Sequence, residues 1–502
     1  MSKATSSLWR GPLAGSLHPL ARVYMSSFAE DRALVDIDID VSEAHALALG
    51  KAGLFSGQDL KRVLSACERA RKKVRPLLDR GEDGGFHDIH PLVEKMVIDM
   101  AGEEAGGRIH MGKSRNDQVA TDICIFARQR LLEVLEEVMR LVMELARAAS
   151  RGSGGVLPAY THARPGQATT WAHFLLAHAS GFRRDAQRIM LCRNRLNRSP
   201  LGACAVAGTS VPVNRAFTAR LLGFAGVWEN SLDATSSRDC LLEALSVLAV
   251  LQSGLSRAAA DVMMMAAPES GVLDYPDEWA DTSSAMPQKK NPDPLELVRA
   301  RAAESAGLAS AGLGIMHGQT SGYNRDLQEL KPLLWKSLAM ALMSTVVVRH
   351  VVSRVRPNPA RIREVLAKGG AAALDVAEWL TLRHGVPFRR AHHAVGTLIR
   401  HLASAGRVLS DAGGEEASRI LSRAAGRAVA FTSTEWREAT DPAKGAARRR
   451  SAGGSGDHPR LLREAGTWLG RMKPEVLALR RAEEGAARGL RAAVKRALGR
   501  RA

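Results

Sequence analysis

Four short segments carry more hydrogen-bonding and charged side chains than a helical core requires. The first runs from His110 to Gln118 and reads HMGKSRNDQ. It comes directly before a strong helical pattern, and the N–H groups at a helix N-terminus form a natural carboxylate site. A helix cap built by Asn116 and Asp117 explains the same residues equally well. From these residues alone, both interpretations stay open.

The second segment contains Tyr160, Thr161 and His162 and is followed by a helical pattern. A histidine that leads into a helix is suited to proton transfer, because its ordinary pKa lies near neutral pH. A lone histidine is more often structural, so the segment predicts either a proton shuttle or an ordinary structural residue.

The third segment, residues 282–292, reads TSSAMPQKKNP and closes a long polar stretch between two predicted helices. Lysines beside a serine favour its alkoxide and can hold an anionic intermediate. A solvated loop is the alternative. The fourth segment, residues 319–331, reads QTSGYNRDLQELK and crowds polar side chains at the start of a helix.

Helices are the elements that must position these segments. Apolar residues recur at three- and four-residue steps from Leu131 to Leu145. The same pattern runs through residues 171–190, 239–266, 295–312 and 333–355. Several of these helices are apolar over much of their circumference, which favours a bundle interior. Alternation predicts one strand, at residues 34–41, and the fold class is all-α.

Composition favours the same fold class. The 502 residues include only 4% aromatic residues, and strands are usually rich in aromatic and β-branched residues. The longest charge-free apolar stretches are shorter than the roughly 18 residues of a membrane helix, which predicts no membrane contact. Five cysteines without paired spacing predict reduced thiols in a cytoplasmic protein.

The charge is strongly basic. Lys and Arg number 71 against 52 Asp and Glu, a formal net charge of +19. No nucleic-acid motif or aromatic stacking platform accompanies the basic runs, which predicts no nucleic-acid partner. Most of the surplus lies outside the four segments, in residues 448–450 and from Arg480 onward. We interpret it as arginine-rich surface composition.

Three of the segments together resemble the argininosuccinate lyase family of the fumarase/aspartase superfamily. They read HMGKSRNDQVATD at residues 110–122, SSAMPQKKNPD at 283–293 and YNRDLQE at 323–329. The serine-containing segment is typical of the whole superfamily, and the other two are much more specific to the argininosuccinate branch. Leu8-Trp9 is similar to the start of the family's chains. The resemblance covers nearly the whole sequence.

The resemblance implies a homotetramer of all-α chains, with active sites shared between three subunits. It implies an N-terminal helical domain with an extended arm at residues 1–112, a central long-helix bundle at 113–364 and a small C-terminal helical domain at 365–502. The implied reaction is β-elimination of argininosuccinate to arginine and fumarate through an aci-carboxylate intermediate, without metal or organic cofactor.

The family's functional residues carry over position by position. The implied catalytic residues are Ser283, His162, Lys289, Glu296 and Asn291. The implied substrate-binding residues are Ser27, Asp31, Asp88, Arg115, Asn116 and Thr161, with Tyr323, Gln328 and Lys331 from a neighbouring subunit. Ser283 would remove the proton and His162, oriented by a buried Glu296, would protonate the leaving nitrogen. The roles of these two can also be exchanged. Lys289 and Asn291 would stabilise the aci-carboxylate.

Two departures from the family pattern lie beside these residues. Thr282 stands where the family usually has glycine, and residues 163–168 read ARPGQA. Neither removes an expected proton-transfer residue. The main alternative is a related superfamily lyase acting on another succinyl-type substrate, and a catalytically silent homologue is a second. Retention of Gln328 and Lys331 favours argininosuccinate, and retention of Ser283 favours an active enzyme.

Overall fold

The computed structural model describes residues 17–152 and 154–501. Leu8 and Trp9, which resemble the start of the family's chains, lie outside the described residues. Helices dominate, and the prediction of an all-α fold is confirmed.

The helices follow one another along the whole described chain. Their bounds are α1 Pro19–Tyr24, α2 Phe28–Asp31, α3 Val35–Lys51, α4 Gly57–Asp79, α5 Ile89–Ala101, α6 Glu103–Gly106, α7 Arg115–Arg151, α8 Trp171–Arg195, α9 Arg215–Leu221, α10 Ser231–Ser236, α11 Asp239–Ala266, α12 Asp293–Met316, α13 Leu330–Arg354, α14 Pro359–Lys368, α15 Ala373–His384, α16 Phe388–Ser404, α17 Gly414–Ala425, α18 Ser433–Thr440, α19 Pro442–Arg448 and α20 His458–Ala497.

The strands are short and pair two by two. Their bounds are β1 Val156–Thr161, β2 Arg164–Thr170, β3 Arg198–Ser199, β4 Gly226–Val227, β5 Leu273–Asp274, β6 Asp281–Thr282, β7 Lys290–Asn291 and β8 Arg356–Pro357. The pairs β1–β2, β5–β8 and β6–β7 are antiparallel, and β3–β4 is parallel.

The long helices α7, α8, α11, α12 and α13 pack into a central bundle, in which α7 lies against α8 and α13. One apolar core runs through this bundle and the N-terminal helices, and α20 joins it from the far end of the chain. A second, separate core is formed within α15 to α18 and their connections. The domain bounds expected from the family resemblance stay predictions.

The predicted strand at residues 34–41 is wrong, because residue 34 ends a short 3-10 turn and residues 35–41 are the start of α3. Thirteen of the 17 residues of α3 are buried, so no amphipathic period marks it as a helix. The acidic residues that produced the alternation face other elements. Asp38 is fully buried, whereas Asp36 and Asp40 form ion pairs with Arg71 of α4.

Two helical segments are long and apolar enough to cross a membrane by length and composition, Asp239–Ala266 and Arg325–Arg354. Half of the most apolar window of each lies buried inside the fold. Both segments belong to the central bundle, which accounts for their apolar composition.

Candidate active site

The N-terminal arm and the start of α13 meet in a buried polar cluster. Ser27 Oγ donates to Asp31 Oδ2 at 2.7 Å, and Lys331 Nζ forms an ion pair with the other oxygen of the same carboxylate. All three side chains are buried. Gln328 Nε2 and Arg325 Nη2 donate to the carbonyl oxygen of Met25, at 3.4 and 3.1 Å.

These contacts bring together predicted site residues about 300 positions apart in the chain. Gln328 and Lys331 therefore contact the N-terminal arm of their own chain, whereas the family resemblance implied that they act from a neighbouring subunit. Arg325 was absent from the predicted site residues although it lies inside the YNRDLQE segment, which was the signal that could have identified it.

The first turns of α5 and α7 face each other across the same region. Asp88 caps α5 by accepting the backbone N–H of His90 at 3.2 Å, and Arg115 Nη1 donates to its other oxygen at 2.9 Å. Ser114 caps α7 in a reciprocal capping box with Asp117, so the cap is built by Ser114 and Asp117 rather than by Asn116.

Asn116 is consequently free of the capping role. Its Nδ2 donates to the carbonyl oxygen of Ala205 at 3.1 Å. Asp117 Oδ2 accepts the backbone N–H groups of Gly202 and Cys204, both at 2.8 Å, and so anchors the same loop. Asp117 positions the loop beside α7, a role that the sequence did not indicate.

A cavity of about 730 Å³ lies between these elements. Its polar lining includes His87, His90, Ser114, Arg115, Asn116 and Arg325. The guanidinium groups and the N-terminus of the 37-residue helix α7 give it donors and positive potential suited to carboxylates. Burial lowers the pKa of His87, which favours its neutral form at the cavity wall.

A second layer of charged side chains lies beneath the cavity. His90 Nδ1 lies 2.8 Å from Asp38 Oδ1 and 3.6 Å from Asp122 Oδ2, and all three residues are buried. Burial opposes the charged form of His90, but the carboxylates of Asp38, Asp88 and Asp31 raise its pKa above its ordinary value. Burial and the neighbouring Asp38 raise the pKa of Asp122, whereas His90 lowers that of Asp38 against the effect of burial.

Two acidic triads in this layer have the donor types and spacing of a metal site, Asp31–Asp88–His90 and Asp38–His90–Asp122. The carboxylates of Asp31, Asp88 and Asp38 already have partners, whereas within the described residues neither oxygen of the buried Asp122 has a hydrogen-bond partner. Asp31 pairs with Lys331, Asp88 with Arg115, and Asp38 with His90 and Gln118. The positive charge of Lys113 further lowers the pKa of Asp38 and limits the rise in that of Asp122. We therefore interpret the layer as a balanced charge network under the cavity.

Thr161 and His162 lie at the tip of the β1–β2 hairpin. The prediction that His162 leads into a helix is wrong, because α8 begins at Trp171, after the whole of β2. His162 and Ala163 both have positive φ angles, 52° and 56°, which is typical of the tight turns that join antiparallel strands. Both Thr161 and His162 are exposed on this chain.

Ser283, Lys289 and Asn291 belong to a second small hairpin, formed by β6 and β7. Asp281 pairs with Asn291 and Thr282 with Lys290, so the intervening segment is closed at its base. Ser283 Oγ accepts backbone N–H groups from Ala285 at 3.3 Å and from Met286 at 3.1 Å. Lys289 is exposed and Asn291 is half-buried.

Glu296 does not match its predicted surroundings on this chain. It lies in the first turn of α12 and is exposed, whereas the family resemblance implied a buried partner of His162. Only four of the 24 residues of α12 are buried, so this helix presents most of its surface outward. Tyr323 is half-buried in the connection between α12 and α13.

The predicted site residues thus form separate groups. Arg115 and Asn116 line the cavity. Asp88 and Gln328 bond to lining residues, and Ser27, Asp31 and Lys331 form the adjoining buried cluster. Within residues 17–152 and 154–501, no hydrogen bond or ion pair joins this group to His162, Ser283 or Glu296. These last three residues have exposed or half-buried side chains on different elements.

Family models match most of the chain. A model described as Lyase matches residues 12–307, and one described as Argininosuccinate lyase C-terminal matches residues 370–444. Argininosuccinate lyase of Methanothrix thermoacetophila is 39% identical over 393 residues, covering 78% of this chain and 80% of that protein. Argininosuccinate lyase of Methanothermobacter thermautotrophicus is 35% identical over 455 residues, covering 91% and 96%.

Solved structures of other lyases share the fold. EDDS lyase in complex with formate superimposes with a TM-score of 0.85 at 25% identity, covering 97% of each chain. Fumarate lyase from Mesorhizobium sp. BNC1 superimposes with a TM-score of 0.71 at 20% identity, covering 87% of this chain and 96% of that one. The second likeness concerns the fold alone.

Proposed function

The chain belongs to the argininosuccinate lyase family, and on this premise we propose that it cleaves argininosuccinate to arginine and fumarate by β-elimination. The observation that carries the proposal is the cavity at the N-terminus of α7, where Arg115 and Asn116 provide donors for carboxylates. The substrate has three carboxylates, and the cavity lining that would face it contains Arg22, Arg115 and Arg325 against one acid, Glu94.

The difficult step is removal of a proton beside a carboxylate, because a second negative charge then develops on that carboxylate. Preorganised cations and amides are the main requirement for such a transition state. We propose Lys289 and Asn291 for this role. Ser283 is our candidate base, because two backbone N–H groups point at its Oγ and would stabilise an alkoxide there.

His162 is the candidate acid for the departing nitrogen. Its position at the tip of an exposed hairpin supports a role on a substrate held mainly by other elements. Thr161, next to it, is the candidate ligand for a substrate carboxylate. We propose Ser283 as base and His162 as acid because Ser283 Oγ accepts two backbone hydrogen bonds, whereas none reaches the His162 ring from residues 17–152 or 154–501.

We also propose a homotetramer with active sites shared between subunits. Exposed apolar side chains on the central bundle support it, namely Val250 and Met264 on α11, Leu297 and Leu313 on α12, and Met343 on α13. Burying this surface in an oligomer would bring the half-buried Ser283 and the exposed His162 and Glu296 of neighbouring chains to one cavity. The proposed setting is the cytoplasm.

A related lyase acting on another succinyl-type substrate is the second candidate. The likeness to EDDS lyase, whose name states a different substrate, favours it. The match of residues 370–444 to the argininosuccinate lyase C-terminal model favours the first candidate.

The purified chain should release fumarate from argininosuccinate, followed by the ultraviolet absorbance of fumarate and by mass detection of arginine. Adenylosuccinate serves as the competing succinyl substrate. Ser283→Ala should abolish turnover while the oligomer persists, and the adjacent Ser284→Ala is the matched control that keeps activity. A folded oligomer that leaves argininosuccinate intact would defeat the proposal, and activity on adenylosuccinate alone would favour the second candidate.

A further inference from the structure

The hairpin that carries Thr161 and His162 needs support from outside itself. It has two strands, and an isolated two-stranded hairpin is marginally stable in water. Its ladder is also irregular, with a register shift between Pro158 and Tyr160. The orientation of its tip therefore depends on what holds its base.

Arg449, just after α19, holds the second strand of the hairpin. Its Nη1 donates to the carbonyl oxygen of Ala168 in β2 at 2.7 Å. Its Nη2 donates to both oxygens of Asp375 in α15, at 2.9 and 2.8 Å. Asp375 and Ala168 are buried, and the Arg449 side chain is 18% exposed. One guanidinium therefore joins the hairpin, α15 and the segment after α19.

Two glycines make this junction close-fitting. A Cβ on Gly445 would lie 2.6 Å from Asp375 Oδ2, so glycine is required for the carboxylate to reach its position. A Cβ on Gly369, after α14, would lie 2.8 Å from the Cβ of Pro165 in β2. The C-terminal part of the chain thus contacts the hairpin directly at Pro165 and Ala168.

A further contact extends the junction into α8. His173 Nδ1 lies 2.8 Å from Thr169 Oγ1, and its Nε2 lies 2.9 Å from the carbonyl oxygen of Gly453. The chain from Ala168 to His173 is therefore tied to residues 449–453 at both ends. Residues 448–450 form a basic run that the sequence analysis interprets as surface composition. Arg449 contradicts this interpretation, because its side chain is mostly buried and pairs with Asp375.

We propose that Arg449, held by Asp375, is a positioning residue that orients the hairpin bearing Thr161 and His162. This inference rests on the proposed function, since it gives His162 a place in the elimination. Proton transfer requires donor and acceptor at hydrogen-bond distance, and a displacement of 1 Å is enough to cost about 100-fold in rate.

The test compares Arg449→Ala and Arg449→Lys with Arg450→Ala, an exposed arginine next in sequence. Fumarate release gives kcat and KM per assembled oligomer, and hydrogen exchange of residues 156–170 reports opening of the hairpin. We expect Arg449→Ala to lower kcat by about 10- to 100-fold with a smaller change in KM and to speed exchange in the hairpin. Arg449→Lys should recover part of both, because an ammonium keeps a charge beside Asp375. Arg450→Ala should match the unaltered chain.

The outcomes separate this inference from the proposed function. If the unaltered chain releases no fumarate, the proposed function fails, and hydrogen exchange still tests whether Arg449 holds the hairpin. If the unaltered chain is active and assembled Arg449→Ala keeps kcat within about twofold, the positioning role is overturned. Should Arg449→Ala fail to assemble, Arg449→Met, which keeps the aliphatic part of the side chain and removes the guanidinium, decides by the same criteria.

Discussion

Variants of the buried ion pair between Lys331 and Asp31 can distinguish a structural role of Lys331 from a role in substrate binding. Asp31 is fully buried, and the side chain of Lys331 is 3% exposed. Lys331→Met keeps most of the aliphatic length of the side chain and removes the cation. The Asp31 carboxylate is then left with the hydroxyl of Ser27, at 2.7 Å, as its remaining side-chain donor.

Breaking a buried ion pair on one side costs about 3–5 kcal/mol, because an uncompensated charge stays buried. A neutral hydrogen bond contributes about 1 kcal/mol and cannot offset this loss. We therefore expect Lys331→Met to lower the free energy of unfolding by about 3 kcal/mol. The double variant Asp31→Asn/Lys331→Met leaves no unpaired charge, so we expect it to lose no more than about 1 kcal/mol.

The assay is urea unfolding at one fixed protein concentration, because stability of an oligomer depends on concentration. Lys368→Met is the control, since Lys368 pairs with Glu364 at 2.7 Å on the exposed surface of α14 and its side chain is 72% exposed. We expect that control to lose less than about 1 kcal/mol. A double variant as unstable as Lys331→Met alone would refute the reasoning.

Activity adds a second result to the same set of variants. If Lys331 also binds the amino-acid half of the substrate, the double variant should regain stability without regaining fumarate release. Recovery of both stability and turnover would limit Lys331 to a structural role.

Mixing Ser283→Ala subunits with Asn116→Leu subunits should restore part of the activity that each variant lacks, because the proposed sites combine these groups from different chains. Absence of recovery after reassembly would contradict shared sites. His45 is buried and its ring Nε2 lies 2.8 Å from the carbonyl oxygen of Met111, and burial lowers its pKa to about 3. The unfolded chain takes up a proton at this residue near pH 6.5 and the folded chain does not, so stability should fall by about 1.4 kcal/mol per pH unit from pH 6.5 toward 3. His45→Gln should flatten this dependence in urea unfolding, whereas the exposed control His317→Gln should leave it unchanged.

The helices that position the cavity could be predicted because their apolar period is strong. The helical pattern from Leu131 to Leu145 lies within α7, and the polar segment before it is the start of that helix. The sequence could not show that Ser27 and Lys331 meet, since no local pattern reports a contact between residues so far apart. The resemblance to a family placed Ser27 and Lys331 in one predicted site. In the structure, the N-terminal arm and α13 bring these two residues together within one chain.

The β1–β2 hairpin was missed for a physical reason. Pro158 and Pro165 interrupt its strands, and prolines argue against strands in sequence interpretation because they lack the ladder N–H. The hairpin persists because other elements hold its edges, as Arg449 does at Ala168. Local sequence patterns are equally unable to show a site that is divided among separate elements, such as those that carry His162 and Ser283.

Some of the arginines behind the net positive charge have a structural role that the composition alone cannot reveal. Arg193 and Arg128 are almost fully buried in the central bundle, and both face Glu483 of α20. Arg480, one turn earlier, donates to both oxygens of Glu136 in α7, at 3.0 and 2.9 Å. Glu483 of α20 therefore pairs with two buried guanidinium groups of the bundle, and Glu136 of α7 pairs with Arg480 of α20. Because charges of both signs are exchanged between α20 and the bundle, Arg128, Arg193 and Arg480 are better explained by docking within the chain than by a polyanionic partner.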